Sequence, residues 1–271
     1  MAKNWELNFN VGGNAMRQKR TTDELNVARL AEPDIYTAEN GVEGAVLDRT
    51  WLWEKRINSF YGSAQLAYKN WLYLELTGRN DWSSTLPQQN NSYFYPSASL
   101  SYILTDHLED KFNSKIFSYG KVRVSAAEVG KDADPYLLEL LYDTLVSING
   151  VELASIHNPF PLVTLEPERK RSYEAGVDVR FFENRLGLDL TYYTETTRNQ
   201  VLVSSVSTAS GFNSAVVNAG EIRNRGIELL LNFTAIDKKK FKWKGLINYT
   251  KNNNEVLSLN SQGQREVLGN Q

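Results

Sequence analysis

An aspartate followed closely by a serine pair, Asp81-Trp82-Ser83-Ser84, comes nearest to a hydrolytic nucleophile in this 271-residue chain. A serine nucleophile needs a base held against it, most often a histidine oriented by a third group. The chain has two histidines, His107 and His157, far apart and in unrelated contexts. It also lacks a Gly-x-Ser-x-Gly turn. Asp132, Asp134 and Glu139 have the chemistry of a calcium loop, but not the glycine or the later ligands that such a loop requires. Asn252-Asn253-Asn254-Glu255 reads as a polar loop start. There is no cysteine, so disulfides and thiolate metal sites are excluded. No catalytic residue, no cofactor and no metal site is expected.

What remains is contact chemistry. Arg79 and Asp81 bracket the end of a strand, where they can anchor a loop or touch a ligand. An exposed ion pair of this kind contributes only about 0–1 kcal/mol, which makes a structural cap the plainer reading. Trp51, Trp53 and Trp82 fall in or beside long connections, where their flat apolar faces suit a sugar or a partner protein. The competing role is an aromatic girdle at a membrane interface, which also fits Trp71, Trp243, Tyr192 and Tyr249. With 30 basic against 32 acidic residues, the chain has no excess of positive charge for nucleic acid.

The elements that must position these residues are strands. Apolar and polar residues alternate with period two in segment after segment. Leu72, Leu74 and Leu76 oppose Tyr73, Glu75 and Thr77. Val122 and Val124 oppose Lys121, Arg123 and Ser125. Similar alternation runs through Tyr173–Phe181, Arg185–Tyr193, Gly226–Thr234 and Phe241–Thr250, and more weakly through Trp5–Val11, Ile57–Tyr68 and Phe94–Leu104. Arg123, Asp178, Arg180, Asp189 and Glu228 fall on polar faces and are expected to look into a lumen. A short helix is expected at Pro135–Leu145. The fold class is all-β, with roughly nine antiparallel strands, many near the ten or so residues of a tilted membrane strand.

The connections alternate as well. Short links fall at Asn70, at Thr105 to Ile116, at Glu183-Asn184 and at Ile236–Lys240. Long links are expected at Gly13–Glu54, Asn80–Asn91, Gly130–Arg171 and Thr197–Ile222. An up-and-down membrane barrel does this, with short periplasmic turns and long extracellular loops. The mean hydropathy of -0.44 is compatible with such a barrel, because every second residue faces the lumen. A soluble all-β carbohydrate-binding module is the alternative. It would need charge on both outward faces, which Leu72–Leu76 and Ile227–Phe233 disfavour.

The segment Leu72-Tyr73-Leu74-Glu75-Leu76-Thr77-Gly78-Arg79-Asn80-Asp81-Trp82-Ser83-Ser84, followed by Tyr95-Pro96-Ser97, resembles the barrel of the SusC/RagA family of TonB-linked outer-membrane proteins. Tyr95 stands where the family's motif has phenylalanine. Lys121–Ser125 with Gly130, Leu165–Glu168 with Tyr173–Asp178, and Asn218–Leu229 match further strands of the family in order, although Ala126–Val129 departs from its pattern. The resemblance implies a barrel of about 22 strands around an N-terminal plug, a SusD-like surface lipoprotein partner, and glycan or peptide import driven by the TonB complex. It implies a multi-pass protein in contact with outer-membrane lipid. Met1–Glu6 does not read as a signal peptide, and neither a plug nor a TonB box is recognisable. Residues 1–271 are therefore expected to be part of such a barrel, with the plug and signal peptide absent from the chain.

Overall fold

The computed structural model describes residues 4–42, 46–108, 115–144, 154–156 and 159–259. Nine long strands form a single antiparallel sheet. In chain order they are β1 (Trp5–Val27), β2 (Val46–Tyr68), β3 (Leu72–Ser83), β4 (Ser92–Ile103), β5 (Phe117–Lys131), β8 (Glu168–Phe181), β9 (Leu186–Arg198), β12 (Glu221–Lys238) and β13 (Phe241–Ser258). Each pairs with the next of these strands in chain order, and β1 and β13 are the two edges. Two small hairpins, β6 (Tyr142–Thr144) with β7 (Ala154–Ile156) and β10 (Val201–Ser205) with β11 (Ser214–Asn218), sit in the connections. The expected nine-strand antiparallel sheet, an open portion of a barrel, is present.

Register explains why the sheet has two unlike faces. One line of partners runs Trp5, Tyr68, Leu72, Tyr102, Val122, Val177, Leu190, Leu229 and Tyr249, apolar across all nine strands. The next line runs Glu6, Ala67, Tyr73, Ser101, Arg123, Gly176, Thr191, Glu228 and Thr250, mostly polar. Because a strand's side chains alternate strictly, the first line belongs to one face and the second to the other. The apolar face is extensively exposed, including Phe60, Leu76, Phe94, Val124 and Ile247. A single-layer sheet with such a face needs an apolar surrounding.

Four connections are short. Residues 69–71 join β2 to β3, 104–116 join β4 to β5, 182–185 join β8 to β9, and 239–240 join β12 to β13. Lys69 and Asn70 both adopt left-handed backbone, with φ of 47° and 62°, as a tight hairpin turn demands. Aromatic rings gather at this end. Trp5 and Tyr68 lie 4.4 Å apart, Trp71 packs edge-on against Tyr68 and Tyr102, and His107 stacks on Trp71 at 4.0 Å. His107 closes the four-residue helix α1 (Leu104–His107), which the alternation did not announce. His157 lies outside the described residues.

The other end differs from expectation in three places. The long link expected over Gly13–Glu54 is largely strand: β1 and β2 pair without interruption from Trp5↔Tyr68 to Val27↔Val46. β3 stops opposite Ile57, so the hairpin projects beyond it as a two-stranded ribbon. Both faces of that ribbon meet water, so the alternation that marks a strand disappears while backbone pairing continues. The helix expected at Pro135–Leu145 does not form within its described part, 135–144. Tyr136 has φ of 68°, which breaks a right-handed helix, and Tyr142–Thr144 is strand β6. Trp51, Trp53 and Trp82 lie in β2 and β3 and not in loops.

Candidate functional site

The polar face carries two built networks. The first lies near the middle of the sheet. Arg123 on β5 reaches across β8 to make two bonds to Asp189 on β9, Nη1 to Oδ2 at 3.1 Å and Nη2 to Oδ1 at 2.7 Å. Its Nη2 also donates to Thr191 Oγ1 at 2.6 Å. The strand it crosses has Gly176 at that point, and a Cβ there would collide with the Arg123 guanidinium. Glycine is needed here for close approach. Arg180 pairs with Asp178 on the same strand at 3.2 Å and lies over the Tyr119 ring. Register puts Arg123, Asp178, Arg180, Asp189 and Glu228 on one face, as their alternation implied.

The second network sits toward the long-loop end of β2, β3 and β4. Arg79 Nε donates to Asp81 Oδ1 at 2.8 Å, and Arg79 Nη2 donates to Ser59 Oγ at 3.0 Å. Tyr95 donates its hydroxyl to the other Asp81 oxygen at 2.6 Å. Asp81 is 5% exposed, while about a third of the Arg79 side chain (38%) remains open to solvent. The Arg79 guanidinium also lies over the Tyr61 ring, 5.9 Å from its centre. Charge-assisted bonds of this kind fix a guanidinium firmly. Beneath it runs a groove of about 410 Å³. Ser63, Thr77, Ser97 and Ala127 form its floor, one small residue from each of four adjacent strands. Small side chains leave space, and Tyr61, Arg79 and Tyr95 stand at its side. β4 and β5 cease to pair beyond Ser97, next to Pro96, which has no N–H to give to a ladder.

Above the groove the connections fold on one another. Leu86, Tyr93, Ala133, Leu165 and Val216 are buried together, with Leu137, Leu138, Leu162 and Val201 packed around them. They come from β4, β10 and β11 and from the connections after β3, β5 and β7. Side-chain amides tie these segments together. Asn90 donates to the carbonyls of Thr164 and Leu165, and Asn218 donates to those of Glu166 and Asn199. Asp132 is not part of a cation loop. It accepts from Lys55 at 2.5 Å, from Ser83 at 2.5 Å and from Thr85 at 3.2 Å, which pins the base of the β1–β2 ribbon to the end of β5. Ser83 is engaged in that cluster, and Asn252 accepts from the Tyr193 hydroxyl. Among the described residues no group of acidic and histidine side chains has the arrangement of a metal site.

The three expected contact tryptophans do not converge. Trp51 and Trp53 lie on the projecting part of β2, on the side continuous with the polar face. Trp82 lies on the opposite face, level with Asn58 and Ser92 and on the same side as Phe60 and Phe94, where a girdle residue belongs. Sequence reasoning missed Tyr61 and Ser59 as partners of Arg79 and Tyr95 as a partner of Asp81. Only Tyr95 carried a signal, as the departure from phenylalanine within the resembled motif.

Residues 2–268 match the family model described as TonB dependent receptor-like, beta-barrel. TonB-dependent receptor P26 of Formosa agariphila is 31% identical over 213 residues, covering 75% of this chain and 21% of that protein. TonB-dependent receptor P3 of the same organism is 27% identical over 258 residues, covering 92% of this chain and 25% of that protein. The chain thus spans between a fifth and a quarter of the length of these relatives. Among solved structures, the RagAB peptide transporter superposes with a TM-score of 0.82 at 20% identity, over 97% of this chain and 29% of that one.

Proposed function

Since this chain belongs to the family of TonB-dependent receptor-like β-barrels, we propose that it is of the SusC/RagA kind and forms part of the wall and outer mouth of a TonB-driven importer of oligomeric nutrients, glycan or peptide. Its strands are those of an outer-membrane barrel, which sets aside the soluble-module reading. Strand edges cannot remain open in lipid, so β1 and β13 would pair with further strands of the same barrel. The polar face would line the lumen around a plug, and the folded loops would surround the entry. The observation that carries this reading is the joining of the three connections into one buried apolar cluster directly above a groove on the polar face.

The groove supports contact with a hydroxyl-rich or amide-rich chain. Its floor offers the Ser63, Thr77 and Ser97 hydroxyls, and Arg79 presents donors that Asp81 and Ser59 leave unused. Trp51 and Trp53 on the ribbon would meet a substrate or the surface lipoprotein. Trp82 would belong to the girdle. The role proposed is transport without covalent chemistry, and energy would come from the TonB complex acting on other parts of the receptor.

The test is uptake by cells carrying the full-length receptor. Fluorescent oligosaccharides and oligopeptides would be offered to the wild type, to a strain lacking the receptor, and to one with TonB disabled. One substrate class should be lost in both mutants, and Arg79→Ala should weaken its capture. Uptake that survives loss of TonB would contradict the reading and favour a passive pore.

A further inference from the structure

On the apolar face, the residues change character near the long-loop end. Tyr192, Ile227, Leu229 and Tyr249 are followed, on the same face and toward the loops, by basic side chains. Arg169 and Arg171 come from β8, Arg198 from β9, Arg223 and Arg225 from β12, and Lys251 from β13. Their register follows the alternation that places Val177, Leu190 and Leu229 against lipid, so this charge points outward from the barrel and away from the substrate path.

The members of this belt differ in how they are satisfied. Arg169 and Arg171 share Glu128, and Arg198 pairs with Glu221 at 3.0 Å. Arg223, Arg225 and Lys251 have no ion-pair partner among the described residues. Arg223 is flanked by Thr196 and Glu255, and Arg225 by Thr194 and Asn253. Glu255 makes no salt bridge to Arg223. Two residues apart on one strand face, the arginines are spaced by about 7 Å along the strand. That spacing lets two guanidinium groups converge on one tetrahedral anion. Guanidinium is the group best matched to phosphate, because it offers paired donors in a rigid fork.

We infer that Arg223 and Arg225, with Lys251 and the Thr194 and Thr196 hydroxyls beside them, form a binding site for a phosphate group on the glycolipid of the outer leaflet, lipopolysaccharide. The position selects the ligand. The site begins where Tyr192 and Tyr249 mark the end of the apolar band, so its occupant must have acyl chains on one side and a phosphorylated sugar headgroup on the other. Unneutralised arginines at a lipid boundary are costly, and an anionic headgroup removes that cost. A soluble anion would gain nothing from the apolar strip below. The inference rests on the chain's place in the outer membrane and on which end faces out. It does not depend on what is transported, so uptake can remain intact while it fails.

Purified full-length receptor in detergent tests it. Thermal unfolding is followed with added lipopolysaccharide, the same glycolipid enzymatically dephosphorylated, phosphatidylglycerol, or inorganic phosphate. Lipopolysaccharide should raise the unfolding temperature of the wild type, and the dephosphorylated form should not. The double variant Arg223→Gln, Arg225→Gln should lose the shift while retaining the wild-type circular dichroism spectrum and nutrient uptake. Arg223→Lys, Arg225→Lys should recover part of it. An equal shift in the Gln variant, or with the dephosphorylated glycolipid, would overturn the site. Equal stabilisation by phosphatidylglycerol would overturn its specificity for the outer leaflet. Stabilisation by phosphate alone would make it a soluble-anion site and overturn the lipid assignment.

Discussion

The Arg123 side chain shows how a single glycine can let a charge reach a partner two strands away. Gly176 has no side chain to keep the guanidinium off the sheet, so Arg123 lies across β8 and grips Asp189 and Thr191. Gly176→Val should displace it and leave Asp189 without its partner. With both side chains about one-third exposed, the expected loss is about 1–2 kcal/mol. It would be read as a lower unfolding temperature of the full-length receptor, with Arg123→Gln showing a comparable loss and little further effect when the two are combined. Alternation in the sequence placed Arg123 and Asp189 on polar faces but not together, because pairing across an intervening strand depends on register. The Arg79–Asp81 pair was legible, being two residues apart on one strand. Its enclosure by Ser59, Tyr61 and Tyr95 was not, since those partners come from neighbouring strands. Lys55 and Asp132 are 77 residues apart, with no local pattern to link them.

Among the elements, β12 gives the sharpest contrast between the two faces. Leu229 lies between Leu190 and Tyr249 on the apolar face, while its neighbour Glu228 lies between Thr191 and Thr250 on the other. Leu229→Arg should cost about 2–4 kcal/mol if the position sits near the bilayer midplane. Leu230→Arg, one residue along and on the polar face, should cost far less. Equilibrium unfolding of the receptor in lipid vesicles measures both, and equal costs would contradict the assignment of faces. The strands were readable wherever their two faces meet different solvents. The outer halves of β1 and β2 were not, because water bathes both faces there and no alternation is required. The loop cluster was hidden for a related reason: its members come from connections, a strand end and a short hairpin, none long enough to show a period. Leu165 is fully buried within it. Leu165→Ala should loosen the joined loops at a cost of about 2–4 kcal/mol, seen as protease cleavage in the connection between β5 and β8 while the sheet itself stays resistant.

At the scale of the whole molecule, the same nine strands set up two separations. Across the sheet, apolar side chains lie on one face and polar ones on the other, which the transport reading assigns to lipid and lumen. Along the strands, tight turns with clustered aromatic rings lie at one end, and long connections folded into a common cluster lie at the other. The transport reading and the glycolipid site both need the second end to be outside the cell. The absence of cysteine from this chain allows that to be tested directly. Single cysteines would be placed at Ser210, in the connection between β10 and β11, and at Asn184, in the turn between β8 and β9, in full-length receptor otherwise free of cysteine. Intact cells would be treated with a membrane-impermeant maleimide. Ser210→Cys should label in intact cells, and Asn184→Cys only after the outer membrane is opened. Labelling of Asn184→Cys in intact cells, with Ser210→Cys protected, would contradict the assigned orientation, and labelling of both in a soluble fraction would contradict the membrane barrel itself.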